Sequence, residues 1–182
     1  MSKIALTPNA SGTGTLTIAA PNTSTDRTLT LPDSTGTVDT LQRAGNVIQV
    51  VQATTSTQTV GASSSFFDTT LQGSITPSSS SNKILITVNL AGTGVSGLSS
   101  ATDRVHYRIL RDASEIHYWE KINGYTNSSV AMANSVSTTK LDSPSTTSSV
   151  TYKVQMHGHS SEQVIAQWQS GISTITLMEI AA

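Results

Sequence analysis

An all-β fold is predicted: an antiparallel β-sandwich of jelly-roll type, preceded by a short extended N-terminal β-hairpin arm. Three observations predict it. Apolar and hydroxyl residues alternate with a period of two, from Gly12-Thr13-Gly14-Thr15-Leu16-Thr17-Ile18 to Ser173-Thr174-Ile175-Thr176-Leu177, and side chains change face at every residue only in extended chain. The sequence holds 29 Ser and 29 Thr, close to a third of its 182 residues; Thr suits the pleated surface of a strand, and Ser with Gly and Asn suits the loops between strands. No segment keeps a 3.6-residue period long enough for a helix.

The first 45 residues read as an N-terminal arm with its hinge, and residues 46–182 as the sandwich domain. Short strands near Thr13 to Ala19 and Thr28 to Leu31 flank the turn-rich Pro21 to Arg27. The apolar face of this hairpin contains little beyond Leu16, Ile18, Leu29 and Leu31, so it needs something else to pack on. These four are the candidate docking residues. Leu41 to Ala44, ahead of Gly45, reads as one helical turn. Strands are then expected at Val47 to Ala53, Gln58 to Val60, Phe66 to Thr70, Gly73 to Thr76, Lys83 to Ala91, Arg104 to Arg111, Glu115 to Lys121, Ser129 to Val136, Val150 to His157, Val164 to Gln169 and Ser173 to Ile180. Turns at Pro77 to Asn82, Asp112-Ala113-Ser114 and Asn123-Gly124 punctuate them. Alternation assigns Ile84, Ile86, Val88, Leu90, Val150, Tyr152, Val154 and Met156 to the core.

Charged residues make up 12% of the chain, about half the roughly 25% of an average soluble domain, so hydroxyls cover much of the surface. With a net charge of −1 and no run of Lys or Arg, the chain lacks the clustered cations that displace counterions from phosphates, and nucleic-acid binding is not expected. No apolar stretch reaches the roughly 18 residues of a membrane span, and no signal-peptide core follows Met1. The expectation is a soluble chain made without an export tag and without membrane insertion. Cysteine is absent, which removes disulfides and thiolate metal sites.

Gly12 to Thr23 together with Asp26-Arg27-Thr28-Leu29-Thr30-Leu31-Pro32-Asp33 resembles N-terminal segments of structural proteins of marine bacteriophages, cyanophages included. Leu141 to Ser148 with Thr151 to Gln155, and the terminal Ser173 to Ile180, resemble the β-sandwich region of phage tail-fibre and related virion proteins. The resemblance implies a virion component, usually a homotrimer, with an N-terminal attachment segment and a distal β domain. Three-fold association would also cover strand edges that otherwise invite aggregation. The chain differs from long fibres in having no shaft repeat.

Several motifs bear on chemistry. Gly92-Thr93-Gly94-Val95-Ser96-Gly97 matches the dinucleotide fingerprint, but that chemistry needs a helix N-terminus at the pyrophosphate, and the sequence leads into another strand, so a flexible loop is expected. His157 and His159 would share the polar face of an extended segment. Three such pairs around a trimer axis would supply six nitrogens to one octahedral transition metal; the alternative is two exposed loop histidines. His106, Glu115, His117 and Trp119, with Arg108, fall on adjacent strands joined at Asp112 and are candidates for a carbohydrate or receptor patch, against the plainer reading of Trp119 as a core or intersubunit aromatic. Trp168 carries the same two readings. Arg104, Arg108 and Arg111 form a small cationic group that reads by default as solvated strand charge, with Asp103, Asp112 or Glu115 as available partners. No Gly-x-Ser-x-Gly elbow is present and the 11 carboxylates are scattered, so no catalytic residues are assigned. The expected function is non-enzymatic: a small homotrimeric tail-fibre or adhesin-type virion protein that docks by its arm on other virion proteins and binds a host-surface glycan. Alternatives are a capsid decoration or head-fibre protein and, from another class, a fibre-borne polysaccharide depolymerase.

Overall fold

The computed structural model describes residues 43–98, 104–122, 130–159 and 162–182, with 10–15, 17, 19, 22–26 and 28 of the N-terminal region. The chain divides into two units, Met1–Thr37 and Val38–Ala182. In the first, the described residues form a turn at Ala10-Ser11 and bends at Asn22 and at Ser24-Thr25, and they contain no strand. The Thr25 N–H donates to Thr23 Oγ1 at 3.1 Å. The expected hairpin is therefore not formed at positions 13–15, 17, 19 and 28, which are exposed; a two-stranded ribbon with so few aliphatic residues does not stabilise itself. Leu16, Ile18, Leu29, Leu31 and the start of the expected helical turn at Leu41 lie outside the described residues.

The second unit contains ten strands among its described residues: β1 (Val47–Thr55), β2 (Thr59–Ala62), β3 (Phe67–Ile75), β4 (Lys83–Leu98), β5 (Arg104–Arg111), β6 (Ser114–Ile122), β7 (Val130–Asp142), β8 (Val150–Gly158), β9 (Gln163–Ala166) and β10 (Ser173–Ile180). All pairings are antiparallel. β9 and β10 both lie along one edge of β4, at its Gly94–Ser96 and Lys83–Asn89 stretches, while β7 runs along the other edge. β1 pairs with β10 and β2 with β9. The first sheet therefore has four rows, β7, β4, β9/β10 and β1/β2. The second has the order β3-β8-β5-β6. Apart from the β5–β6 hairpin, every connection between rows passes from one sheet to the other. Eight rows wound this way form a jelly roll.

The break between β9 and β10 is built on Gly92. Gln167 and Gln169 adopt left-handed conformations (φ 56° and 53°) around a short 3₁₀ turn, Trp168–Ser170. The Gln167 N–H donates to Ala91 O at 2.9 Å, and the Ala91 N–H donates to Ser173 Oγ at 3.0 Å. Gly92 has φ +55°, and a Cβ there would lie 2.7 Å from the Trp168 nitrogen, so only glycine fits. The Gly92 to Gly97 segment is thus not the expected loop. It continues β4, paired on both edges, because the apolar Val95 reaches the core. Two other expectations change for local reasons. Phe66 to Thr70 and Gly73 to Thr76 merge into β3, kept on β8 across a bulge at Asp68–Gln72 where Thr70 has φ 63°. The β9 strand ends at Ala166, earlier than expected, at the left-handed Gln167.

All eight side chains assigned to the core are buried, none more than 5% exposed. They are joined by Leu71, Ile75, Val105, Tyr107, Ile109, Val164, Ile175 and Leu177. Polar seams lock the two sheets at the margins of this core. Tyr107 OH and Thr93 Oγ1 lie 2.9 Å apart, and Lys121 Nζ donates to Thr93 O at 2.9 Å. Elsewhere Arg111 forms an ion pair with Asp142 at 2.9 Å, and Tyr152 OH donates to the same carboxylate at 2.8 Å. Burial raises the pKa of both tyrosines, which therefore stay neutral.

Candidate functional site

The outward face of β3-β8-β5-β6 carries the densest grouping of aromatic, imidazole and charged side chains among the described residues. Register places it: His106 opposite His157 and Arg108 opposite Gln155 on β8, then Glu120 opposite His106 and Tyr118 opposite Arg108 on β6. Phe66 joins from the segment ahead of β3. Its ring meets His157 edge-on at 4.4 Å and Tyr118 edge-on at 6.5 Å. The Arg108 guanidinium lies 4.1 Å over the Phe66 ring, a cation–π contact. His106 stacks on His157 at 4.5 Å and on Tyr118 at 5.9 Å. Tyr118, at 47% exposure, is the most open aromatic of the group.

Charges on this face are paired. Arg108 bridges Glu115 at 3.1 Å and donates to Gln155 Oε1 at 2.8 Å. Asp68 pairs with Lys153 at 3.2 Å and accepts from Gln155 Nε2 at 2.7 Å. Glu120 lies 3.5 Å from both Arg104 and His106. Arg104, Arg108 and Lys153 thus balance Asp68, Glu115 and Glu120 in number. Burial lowers the pKa of His106, and His157, His159 and Arg104 add to this while Glu120 opposes it.

Among the described residues, the histidines of one chain are not gathered with other side chains into a set that could hold a metal ion. His157 and His159 share the outward face as alternation predicts, with Gly158 turned inward. Yet His106 Nδ1 is hydrogen-bonded to Tyr118 OH, and its Nε2 lies 3.4 Å from His159 Nδ1. His157 Nδ1 is engaged with Gly158 O. Stacked rings direct their lone pairs past one another, and among the described residues no set of three or more His, Asp or Glu side chains is arranged to hold an ion.

The receptor residues proposed from sequence are split between two faces. His106 and Arg108 lie outward. Trp119 pairs with Tyr107 in register and stacks on it at 5.3 Å, facing the other sheet. His117 stacks on Trp119 at 5.5 Å and lies 2.7 Å from Thr138 Oγ1 of β7; burial and the nearby Lys140 lower its pKa. The cause is a register shift at Ile109/Leu110, where β6 carries an extra residue, Ile116. That bulge exchanges the faces of every later β6 side chain. It also brings Tyr118 outward, which sequence alternation alone does not reveal. Trp168, 41% exposed, sits on the turn between β9 and β10. Of the arginine pairings available in the sequence, Arg108 to Glu115 forms, whereas Arg111 pairs with Asp142 and not with Asp112.

No protein-family model matches the chain, and no curated protein is similar to it. Among solved structures, it is similar to a chain of the infectious bursal disease virus VP2 subviral particle, with 12% identity and a TM-score of 0.45 over 75% of this chain. The match spans about a third (34%) of that chain's length. The jelly-roll assignment rests on strand order and register. Among the described residues, no helix is long and apolar enough to cross a membrane.

Proposed function

We propose that the chain is a non-enzymatic structural protein of a bacteriophage virion, of the small tail-fibre or adhesin type, which acts as a homotrimer. In this reading the N-terminal segment docks on other virion proteins, and the outward face of β3-β8-β5-β6 binds a glycan of the host surface. The observation that carries the binding role is the half-open aromatic group of Phe66, Tyr118 and His157, backed by the buried His106 and set in a frame of paired charges. Sugar rings stack on aromatic faces, and amides and guanidinium groups donate to their hydroxyls. Balanced charge favours a neutral glycan over a strongly acidic one. The virion assignment draws on the sequence resemblance of residues 12–33, 141–155 and 173–180, and on the jelly roll as an architecture common to capsid and lectin domains.

The carboxylates of this face support the non-enzymatic reading. A glycosidase holds one acid ready to donate a proton and a second free to act as base or nucleophile. Asp68, Glu115 and Glu120 are each tied to a cation instead. The test is binding of the full chain to polysaccharide purified from host cells, measured beside Tyr118→Ala and Arg108→Ala. Both substitutions should weaken binding by about tenfold, the effect of losing one well-placed contact. Equal binding by all three proteins would remove the patch from the account. No binding at all, with the protein located on the capsid in particle images, would favour a decoration or head-fibre role. Shortening of the polysaccharide would indicate a depolymerase.

A further inference from the structure

The two outward faces of the sandwich differ sharply in chemistry. On the β7, β4, β9/β10, β1/β2 sheet, register aligns Val50, Met178, Leu85 and Leu141 in one row across four strands. Val47 and Ile180 extend it at one end. Beside it run two hydroxyl and amide rows, Gln52-Thr176-Thr87-Thr139 and Thr54-Thr174-Asn89-Ser137. Toward the other end, Val60, Ile165, Gly94 and Ala133 form a second apolar row.

Large exposed apolar side chains among the described residues are Val47, Val50, Val60, Tyr118, Leu141, Trp168 and Ile172. Four of them lie in these rows, and Trp168 and Ile172 sit on the turn between β9 and β10. Only Tyr118 belongs to the opposite sheet. Charge is distributed the other way. Six charged residues occupy the outward face of β3-β8-β5-β6, whereas Lys83 is the one charged residue among the described outward positions of the other sheet.

We propose that this nearly uncharged face is the surface by which copies of the chain pack on one another around their symmetry axis. A contiguous exposed apolar surface on a soluble protein marks an interaction site, and the cores of interfaces are depleted in charge. Lack of charge argues specifically for a second copy. Side chains near a symmetry axis meet their own copies, so a face turned toward the axis would set like charges together and is best left nearly neutral, whereas a foreign partner would be served by complementary charge. The in-register rows give copies matching apolar and hydroxyl lanes to align. The proposal rests on the proposed function only for the number of copies.

Sedimentation velocity of the full chain, compared with the double variant Val50→Lys/Leu141→Lys, tests it. Both positions are about half exposed, so the fold should tolerate lysine, and far-UV circular dichroism verifies this. The expected result is a wild-type trimer and a variant that sediments as a 19.0 kDa monomer, while Tyr118→Lys remains assembled. Because the chain has no cysteine, Thr87→Cys gives a second readout that leaves the apolar row intact: its thiol should react with maleimide at least tenfold more slowly than that of Ser74→Cys on the opposite face. A wild-type monomer at all concentrations, a Lys variant that assembles as before, or equal thiol reactivity would each overturn the proposal. A dimer lost in the double variant would support the surface and overturn the trimer of the functional reading, and glycan binding by monomeric variant would separate that role from assembly.

Discussion

Replacing Glu179 by Gln should destabilise the sandwich by about 3 kcal/mol at neutral pH, and the loss should vanish in acid. Glu179 lies on the core side of β10 and is fully buried. Among the described residues no cation pairs with it. Its Oε1 accepts from the Ser78 N–H at 2.7 Å, Ser78 Oγ at 2.8 Å and Asn82 Nδ2 at 2.6 Å, and its Oε2 accepts from Gln49 Nε2 at 2.6 Å. Burial alone would raise the pKa, but the hydrogen bonds from Asn82, Gln49 and Ser78 together outweigh it and hold the carboxyl down at about 2, against an ordinary 4.5. That difference, about 2.5 units at 1.36 kcal/mol each, gives about 3 kcal/mol. A depressed carboxyl contributes its full stability above the unfolded-state pKa and loses it as pH falls from 4.5 through about 2. Glutamine offers an amide nitrogen where only acceptors fit and carries no charge for the four donors. Urea unfolding of both proteins, at one protein concentration so that association does not intervene, should show the full gap at pH 7 and a small one near pH 2. A gap below about 1 kcal/mol at pH 7, the value of one ordinary hydrogen bond, would refute the reasoning, as would a gap independent of pH.

Gly92→Ala should cost about 2 kcal/mol, from left-handed backbone strain and displacement of the Trp168 backbone, visible as a lower urea midpoint with unchanged slope. Wild-type stability would leave the role of Gly92 unsupported. His106 resists protonation in the folded state, so the unfolded chain binds its proton first as pH falls. Stability attributable to this group is therefore present above about pH 6.5 and declines below it. In melts between about pH 7.5 and about pH 5.5, His106→Gln should flatten part of that decline, the remainder coming from His117, whose shift has the same sign. A flat wild-type profile would contradict both shifts.

Legibility of this chain in its sequence follows the range of the interactions involved. Alternation is local, so the strands from Val47 onward and the eight core residues on β4 and β8 are visible in the order of residues alone. Bulges are invisible to it. One extra residue at Ile116 moves Trp119 and His117 from the expected patch to the interior and turns Tyr118 outward, and nothing in Ser114-Glu115-Ile116-His117-Tyr118-Trp119 distinguishes a bulged strand from a regular one. The continuation of β4 through Gly92 to Gly97 was masked by three glycines, which read as loop until Val95 is seen in the core and Gly92 is seen to admit the Trp168 backbone. Phe66 and His157 reach the patch from segments far apart in sequence, through the β3–β8 pairing that no local pattern encodes.

Glu179 shows the same limit on the energetic side. In Ser173 to Ile180 it occupies a position that alternation marks as inward, between Leu177 and Ala181, where a carboxylate reads as a fault in the pattern. The fault is answered by Ser78 and Asn82, about a hundred residues earlier, and by Gln49, 130 residues earlier. A charge on the inward face of a strand is thus a sequence-level sign that distant donors converge there, since an unsatisfied buried carboxylate would cost more than the strand gains from burial. The same reasoning applies to Asp142, inward on β7 and met by Arg111 and Tyr152 from the other sheet. In a chain without cysteine, these two carboxylates bring together strands and loops that the jelly roll's long connections hold far apart in sequence, at two places where the sheets and their connecting loops meet.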